Sequence, residues 1–94
     1  MLKVHRTGDY EELEKELLLG NPELEIEVSE IIKWFRRNPQ DTRLDNHPLT
    51  KIMEGKWAFS ITDDIRVVYE WLGQTTVRFL AIGGHKKVYK KKHL

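Results

Sequence analysis

WAFSITDDIRVVYEWLGQTTVRFLAIGGHKKVY, residues Trp57 to Tyr89, holds three strand-like segments separated by two short polar turns. It ends on a glycine pair, His85, two lysines and Tyr89. Trp57, Phe59 and Ile61 share one face of the first segment. Ile65, Val67, Tyr69 and Trp71 share a face of the second, and Val77, Phe79 and Ala81 a face of the third. Alternation of this kind marks half-buried strands. A two-residue turn at Asp63-Asp64 would set Ile61 opposite Arg66 and put an arginine on the apolar side. An odd-length loop keeps the bulky faces together. The same parity at Gly73-Gln74-Thr75 pairs Trp71 with Val77. The expectation is an antiparallel meander with Ser60, Arg66, Glu70 and Arg78 on the face away from the core.

Working back from the meander, Pro39 to Lys56 shows no period, contains Pro48 and Gly55, and reads as a long loop. Before it, Leu24, Val28, Ile31, Ile32 and Phe35 follow helical spacing, with Asn21 as N-cap, Pro22 in the first turn and Arg36-Arg37 in the last. Tyr10, Leu13, Leu17 and Leu18 mark an earlier helix, for which Asp9 and Glu12 form a capping box and Gly20 a stop. Leu2 to His5 supplies an edge strand. The fold class expected is α+β: one domain over residues 1–94, β-α-α-β-β-β, its antiparallel sheet covered on one face by a helical hairpin.

Ninety-four residues suffice for one modest core. The absence of cysteine excludes a disulfide scaffold, a zinc ribbon and thiol chemistry. No signal-peptide pattern or membrane-length apolar run occurs, so the expectation is a cytoplasmic protein without a membrane partner. The net charge of +1 hides an asymmetry. Residues 1–47 hold seven Lys/Arg against eleven Asp/Glu, and residues 48–94 hold nine against four. The basic half, closing on Lys86, Lys87, Lys90, Lys91 and Lys92, suits a polyanion.

RNA is cleaved without metal when its 2′-hydroxyl attacks the adjacent phosphate. The protein then removes that proton, stabilises the phosphorane and protonates the departing 5′-oxygen. Histidine suits the proton transfers and arginine the charge. His47, Arg66 and His85 are the residues of those types that a meander could bring together. Each also has a plain reading: His47 before Pro48 as a turn residue, Arg66 as an exposed ion pair with Glu70, Asp64 as a turn former, and His85 as the end of a strand. Trp57, beside Lys56, could stack on a base. The glycines at 83 and 84 suggest backbone crowding or a positive φ. No phosphate-cradling loop, zinc spacing or nucleophile elbow is present, so neither a metal nor a cofactor is expected.

The segments LDNHPLTKIMEGKWAFSITDDIRVVYEW and VRFLAIGGHKKVY resemble the RelE/ParE superfamily of toxin–antitoxin toxins, most closely its YoeB-like and YafQ-like ribonuclease branches. The resemblance rests on His47-Pro48-Leu49 before Gly55-Lys56-Trp57, on the strand Ile65-Arg66-Val67-Val68-Tyr69, and on the terminal glycine, histidine and tyrosine. It implies a ribosome-dependent endoribonuclease that cuts mRNA in the ribosomal A site and is held inactive by a cognate antitoxin. It further implies His47 as base, Arg66 against the scissile phosphate, His85 as acid or base, Tyr89 as an orienting or proton-donating group, and Asp64 as an acidic member of the site. Arg43, Lys51, Lys56, Lys86, Lys87 and Lys90 are the residues expected to meet mRNA and ribosomal RNA. Ser60 stands where YafQ-like relatives have a second sheet histidine. Two alternatives are a ParE-like DNA gyrase inhibitor that acts by binding, and an inactive member that only binds its antitoxin.

Overall fold

In the computed structural model, which describes residues 1–84 and Val88, strand β1 (Lys3–Arg6) leads into helices α1 (Gly8–Leu18) and α2 (Pro22–Arg37). Strands β2 (His47–Pro48), β3 (Trp57–Ser60), β4 (Ile65–Trp71) and β5 (Thr76–Gly84) follow, with single 3-10 turns at Thr42–Leu44 and Lys51–Met53. The second helix begins as its sequence requires. The Asn21 side chain accepts the Leu24 amide at 3.2 Å, Pro22 opens the first turn, and the Asn38 amide closes on the Trp34 carbonyl.

The first helix begins earlier than its capping box suggests. Thr7, not Asp9, is the N-cap: its hydroxyl accepts the Tyr10 amide at 3.1 Å. The same hydroxyl faces the carbonyls of Phe79 at 3.2 Å and Leu80 at 3.4 Å, and the Thr7 amide donates to the Phe79 carbonyl. That tie to β5 decides where the helix starts, and Asp9 is left to complement the positive end of the helix dipole from the first turn.

The sheet runs β1-β5-β4-β3-β2. Its central meander has the expected parity: Phe59 pairs with Val67, Ser60 with Arg66, and Trp71 with Val77. Two features differ from expectation. β1 lies parallel to β5, so the sheet is mixed, because only that direction carries the end of β1 past Phe79 and starts α1 at Thr7. Also, the segment read as a loop supplies a fifth strand. β2 is two residues long, too short to show a period, and its proline is tolerated because it lies on the sheet edge.

A bulge in β5 redistributes the last strand. Tyr69 pairs with Phe79 but Val68 pairs with Ala81, leaving Leu80 as the extra residue. Val77 and Phe79 therefore face the helices, as does Ile82 beyond the bulge, whereas Ala81 turns to the opposite face, contrary to the simple alternation. There it joins Val68, Met53 and Val88 in a second, fully sequestered cluster.

The main core lies between the sheet and the helix pair. Phe35 stacks on Phe59 with centroids 4.1 Å apart, and Tyr69 and Phe79 meet Phe35 at 5.0 and 6.0 Å. Leu24, Ile31, Trp57 and Trp71 pack around them. Trp57 is thereby committed to the helix side and is not presented as a base platform.

Thr7→Ala should cost about 0.5–2 kcal/mol in urea unfolding, the range for losing an N-cap, whereas Thr7→Ser should retain most of the stability. Equal losses for both would show that the methyl group, not the hydroxyl, matters at this junction.

Candidate functional site

Register alone places several expected residues on one face. His47, Ala58, Val68 and Ala81 lie in one row across four strands, and Ser60, Arg66 and Gly83 in a parallel row. Both rows face away from the helices. His47 and Arg66 are two strands apart and two residues offset, so strand geometry separates their backbones by roughly 12 Å. From there the Arg66 guanidinium turns to the Thr62 carbonyl and His47 Nδ1 to that of Asp45. Asp64, in the β3–β4 loop, lies over the end of β5: a Cβ on Gly84 would come within 3.2 Å of its Oδ2. Gly83 has φ of 156°. Crowding at one glycine and unusual backbone at its neighbour are the reasons the pair suggested. His85, Lys86, Lys87, Tyr89 and Lys90 lie outside the described residues.

His47 is held by backbone. Asp45 adopts a left-handed conformation with φ of 50°, and its carbonyl accepts from His47 Nδ1 at 2.7 Å. A carbonyl can only accept, so Nδ1 carries the proton and, in the neutral ring, Nε2 carries the lone pair. The Asp45 carboxylate lies 4.0 Å from Nδ1, and the side chain is 43% exposed. Next to it, Asn46 accepts from the Tyr69 hydroxyl at 2.6 Å and donates to the Pro39 carbonyl at 3.0 Å. The core thus reaches out to fix the turn that carries His47. Sequence reading missed Asn46 and the role of Tyr69. The available signal was a tyrosine on an apolar face, whose hydroxyl needs a partner when buried.

The cationic residues divide by how their donors are used. Arg66 does not pair with Glu70. Its Nη1 donates to the Thr62 carbonyl at 2.6 Å, and its Nε and Nη2 have no partner among the described residues. Glu70 instead takes Arg78 Nε at 2.8 Å and Lys56 Nζ at 3.4 Å. Burial pushes the Glu70 carboxyl up, but those two cations outweigh it and hold it below its ordinary value. Arg43 is occupied as well: Nε and Nη2 clamp both oxygens of Asp41 at 3.1 and 2.8 Å. Chiefly through those bonds, the Asp41 carboxyl is lowered to about 2. Lys51 is exposed, at φ of 60°.

A cleft of about 290 Å³ collects Trp34, Arg43, Asp45, Ser60, Thr62 and Arg66. Among the described residues no His, Asp and Glu gather into a metal-ligand set, and no helix is long and apolar enough to cross a membrane.

The arrangement of two helices on one face of a mixed sheet, with an arginine projecting from the central meander, is a fold shared with solved structures of several toxins. The particular likenesses are these. A copper-bound mutant toxin from Helicobacter pylori aligns with a TM-score of 0.74 at 22% identity, covering 95% of this chain and 100% of that one. A YoeB/ParE toxin from Agrobacterium tumefaciens gives 0.72 at 21% identity over 89% and 99%. A structure of the DinJ–YafQ complex from E. coli gives 0.74 at 16% identity over 96% and 100%. The sequence itself matches no protein-family model and no curated protein.

Burial, reinforced at Tyr10 by its hydrogen bond to Glu14, raises the Tyr10 phenol, and burial outweighs the Asn46 contact to raise that of Tyr69. Both folded-state values lie above the ordinary value of about 10. The stability they contribute is therefore complete below that pH and is lost as pH rises past it. Phenolate absorbance from these two residues should appear only together with loss of near-ultraviolet circular dichroism. Their ionisation near pH 10 in a folded chain would contradict this.

Proposed function

We propose that this chain is the toxin of a type II toxin–antitoxin system, a cytoplasmic, ribosome-dependent endoribonuclease that cleaves mRNA in the A site without a metal. The observation that carries the reading is the contrast between His47 and Arg66 on one sheet face. His47 is fixed with its lone pair at Nε2, and Arg66 has an Nε/Nη2 fork that, among the described residues, is left for two phosphate oxygens.

In this mechanism His47 Nε2 takes the proton of the 2′-hydroxyl as its oxygen bonds to phosphorus. Arg66 balances the charge that develops on the phosphorane oxygens. The bond to the 5′-oxygen breaks, that oxygen leaves with a proton from His85, and a 2′,3′-cyclic phosphate remains. Tyr89 orients the substrate, and Asp64 stands beside the end of β5 as the acidic member of the site. Lys51, Lys86, Lys87 and Lys90 supply attraction to mRNA and ribosomal RNA, whereas Lys56 acts mainly through its tie to Glu70. A cognate antitoxin is the expected protein partner. The solved DinJ–YafQ complex, which has this fold, supports that part of the reading.

The decisive assay is single-turnover cleavage of ribosome-bound mRNA. Arg66→Ala should lower the rate by about 10²–10³, the scale for removing one donor to a developing oxyanion, with the melting temperature nearly unchanged. Equal loss of stability and activity would make Arg66 structural. The rate should be bell-shaped in pH, with His47→Ala removing one limb or most of the rate. Unaltered rates for His47→Ala and His85→Ala would eliminate both as proton-transfer groups. Cleavage of bare RNA at the same rate would refute ribosome dependence. Growth arrest with intact messages and altered DNA supercoiling would favour the gyrase-binding alternative.

A further inference from the structure

Two arginines line the same cleft and differ in what they leave open. Among the described residues Arg66 keeps its bidentate fork and has only Nη1 tied. Arg43 is the reverse. Its fork is closed by Asp41, so it is poorly placed to grip a phosphate in the same bidentate manner. Its guanidinium carbon instead lies 4.2 Å from the Trp34 ring centroid, stacked over the indole.

The plane is fixed from several directions. Asp41 accepts from Arg43 Nε, Arg43 Nη2, the Arg43 amide at 3.0 Å and Trp34 Nε1 at 3.0 Å. One carboxylate thus holds both layers of the stack in register. The arginine side chain nevertheless remains 73% exposed. An ordinary surface arginine loses rotamer freedom when it binds; much of that cost is already met here within the free protein.

We propose that the outer face of Arg43 is a nucleobase-stacking subsite. It takes the base of one nucleotide of a single-stranded RNA while Arg66 holds a phosphate of the same strand. An unpaired base has a flat π-face, and guanidinium planes are standard stacking partners for it. The cleft, at about 290 Å³, sits at the small end of ligand pockets of roughly 300–1,000 Å³, which suits one nucleotide and not a duplex. This inference rests on the ribonuclease reading above and adds the means by which the substrate is aligned.

The test uses the intact protein and ribosomes programmed with mRNAs carrying a single abasic ribonucleotide at each A-site codon position in turn. For the wild-type chain, removing the stacked base should lower kcat/KM about tenfold at one position, within the range for loss of a base-stacking contact. Arg43→Lys keeps the charge and removes the plane, so it should lower kcat/KM on the normal message by a similar factor and be indifferent to the abasic site. Asp41→Asn, which frees the plane, should weaken the same coupling while leaving Arg43 in place. If Arg43→Lys instead costs the same factor on normal and abasic messages, Arg43 acts by charge and the platform is refuted. It is equally refuted if no abasic position is coupled to Arg43 while Arg66→Ala still lowers the cleavage rate as expected, an outcome that leaves the ribonuclease reading standing. If the wild-type protein cleaves no ribosome-bound mRNA at all, the ribonuclease reading falls and the platform with it.

Discussion

The architecture hangs on one hydroxyl group. Thr7 Oγ accepts the Tyr10 amide that opens α1 and directs its own proton at the Phe79 and Leu80 carbonyls where β5 bulges. A bulge leaves backbone polar groups out of the ladder, and buried carbonyls without partners are costly. Thr7 meets that need at the one place where β1 ends beside it. The parallel pairing of β1, the start of α1 and the position of the bulge are therefore a single solution. Once Leu80 is the extra residue, Ile82 enters the core under the helices and Ala81 closes the small cluster on the other face.

β4 then serves both sides of the sheet. Val67 and Tyr69 face the aromatic core, and Arg66, Val68 and Glu70 the side that carries the candidate chemistry. Tyr69 couples the two, since its ring packs against Phe35 while its hydroxyl reaches Asn46 beside His47. Rigid support of this kind is what a proton-transferring histidine requires, because its working nitrogen is set by what the other nitrogen is bonded to. The basic side chains around it are differentiated by their acidic neighbours: among the described residues Asp41 and Glu70 engage Arg43, Arg78 and Lys56 and leave the Arg66 fork open.

Much of this was legible in the sequence. Loop parity fixed the meander register, and Asn21-Pro22 fixed the start of α2, because those signals are local. Thr7 was not legible as a cap, since its advantage over Asp9 comes from strand β5, far along the chain. β2 escaped because two residues have no period. Ala81 falls on the face opposite to the one its alternation predicts, because a bulge leaves no mark in an alternating pattern. In the site, residue types pointed to His47 and Arg66 and the family resemblance added Asp64, but the Asp41 clamp and the Asn46 bridge are tertiary contacts with no pattern of their own.

The seam between β1 and β5 also imposes an order on assembly. Thr7 meets Leu80 across 73 residues of chain, a long-range closure that contributes only after its entropy cost has been met. Helices and the meander hairpins can form from neighbouring residues, but the first strand has no partner until the last has been synthesised. Closure of the sheet at this seam therefore waits until β5 is available.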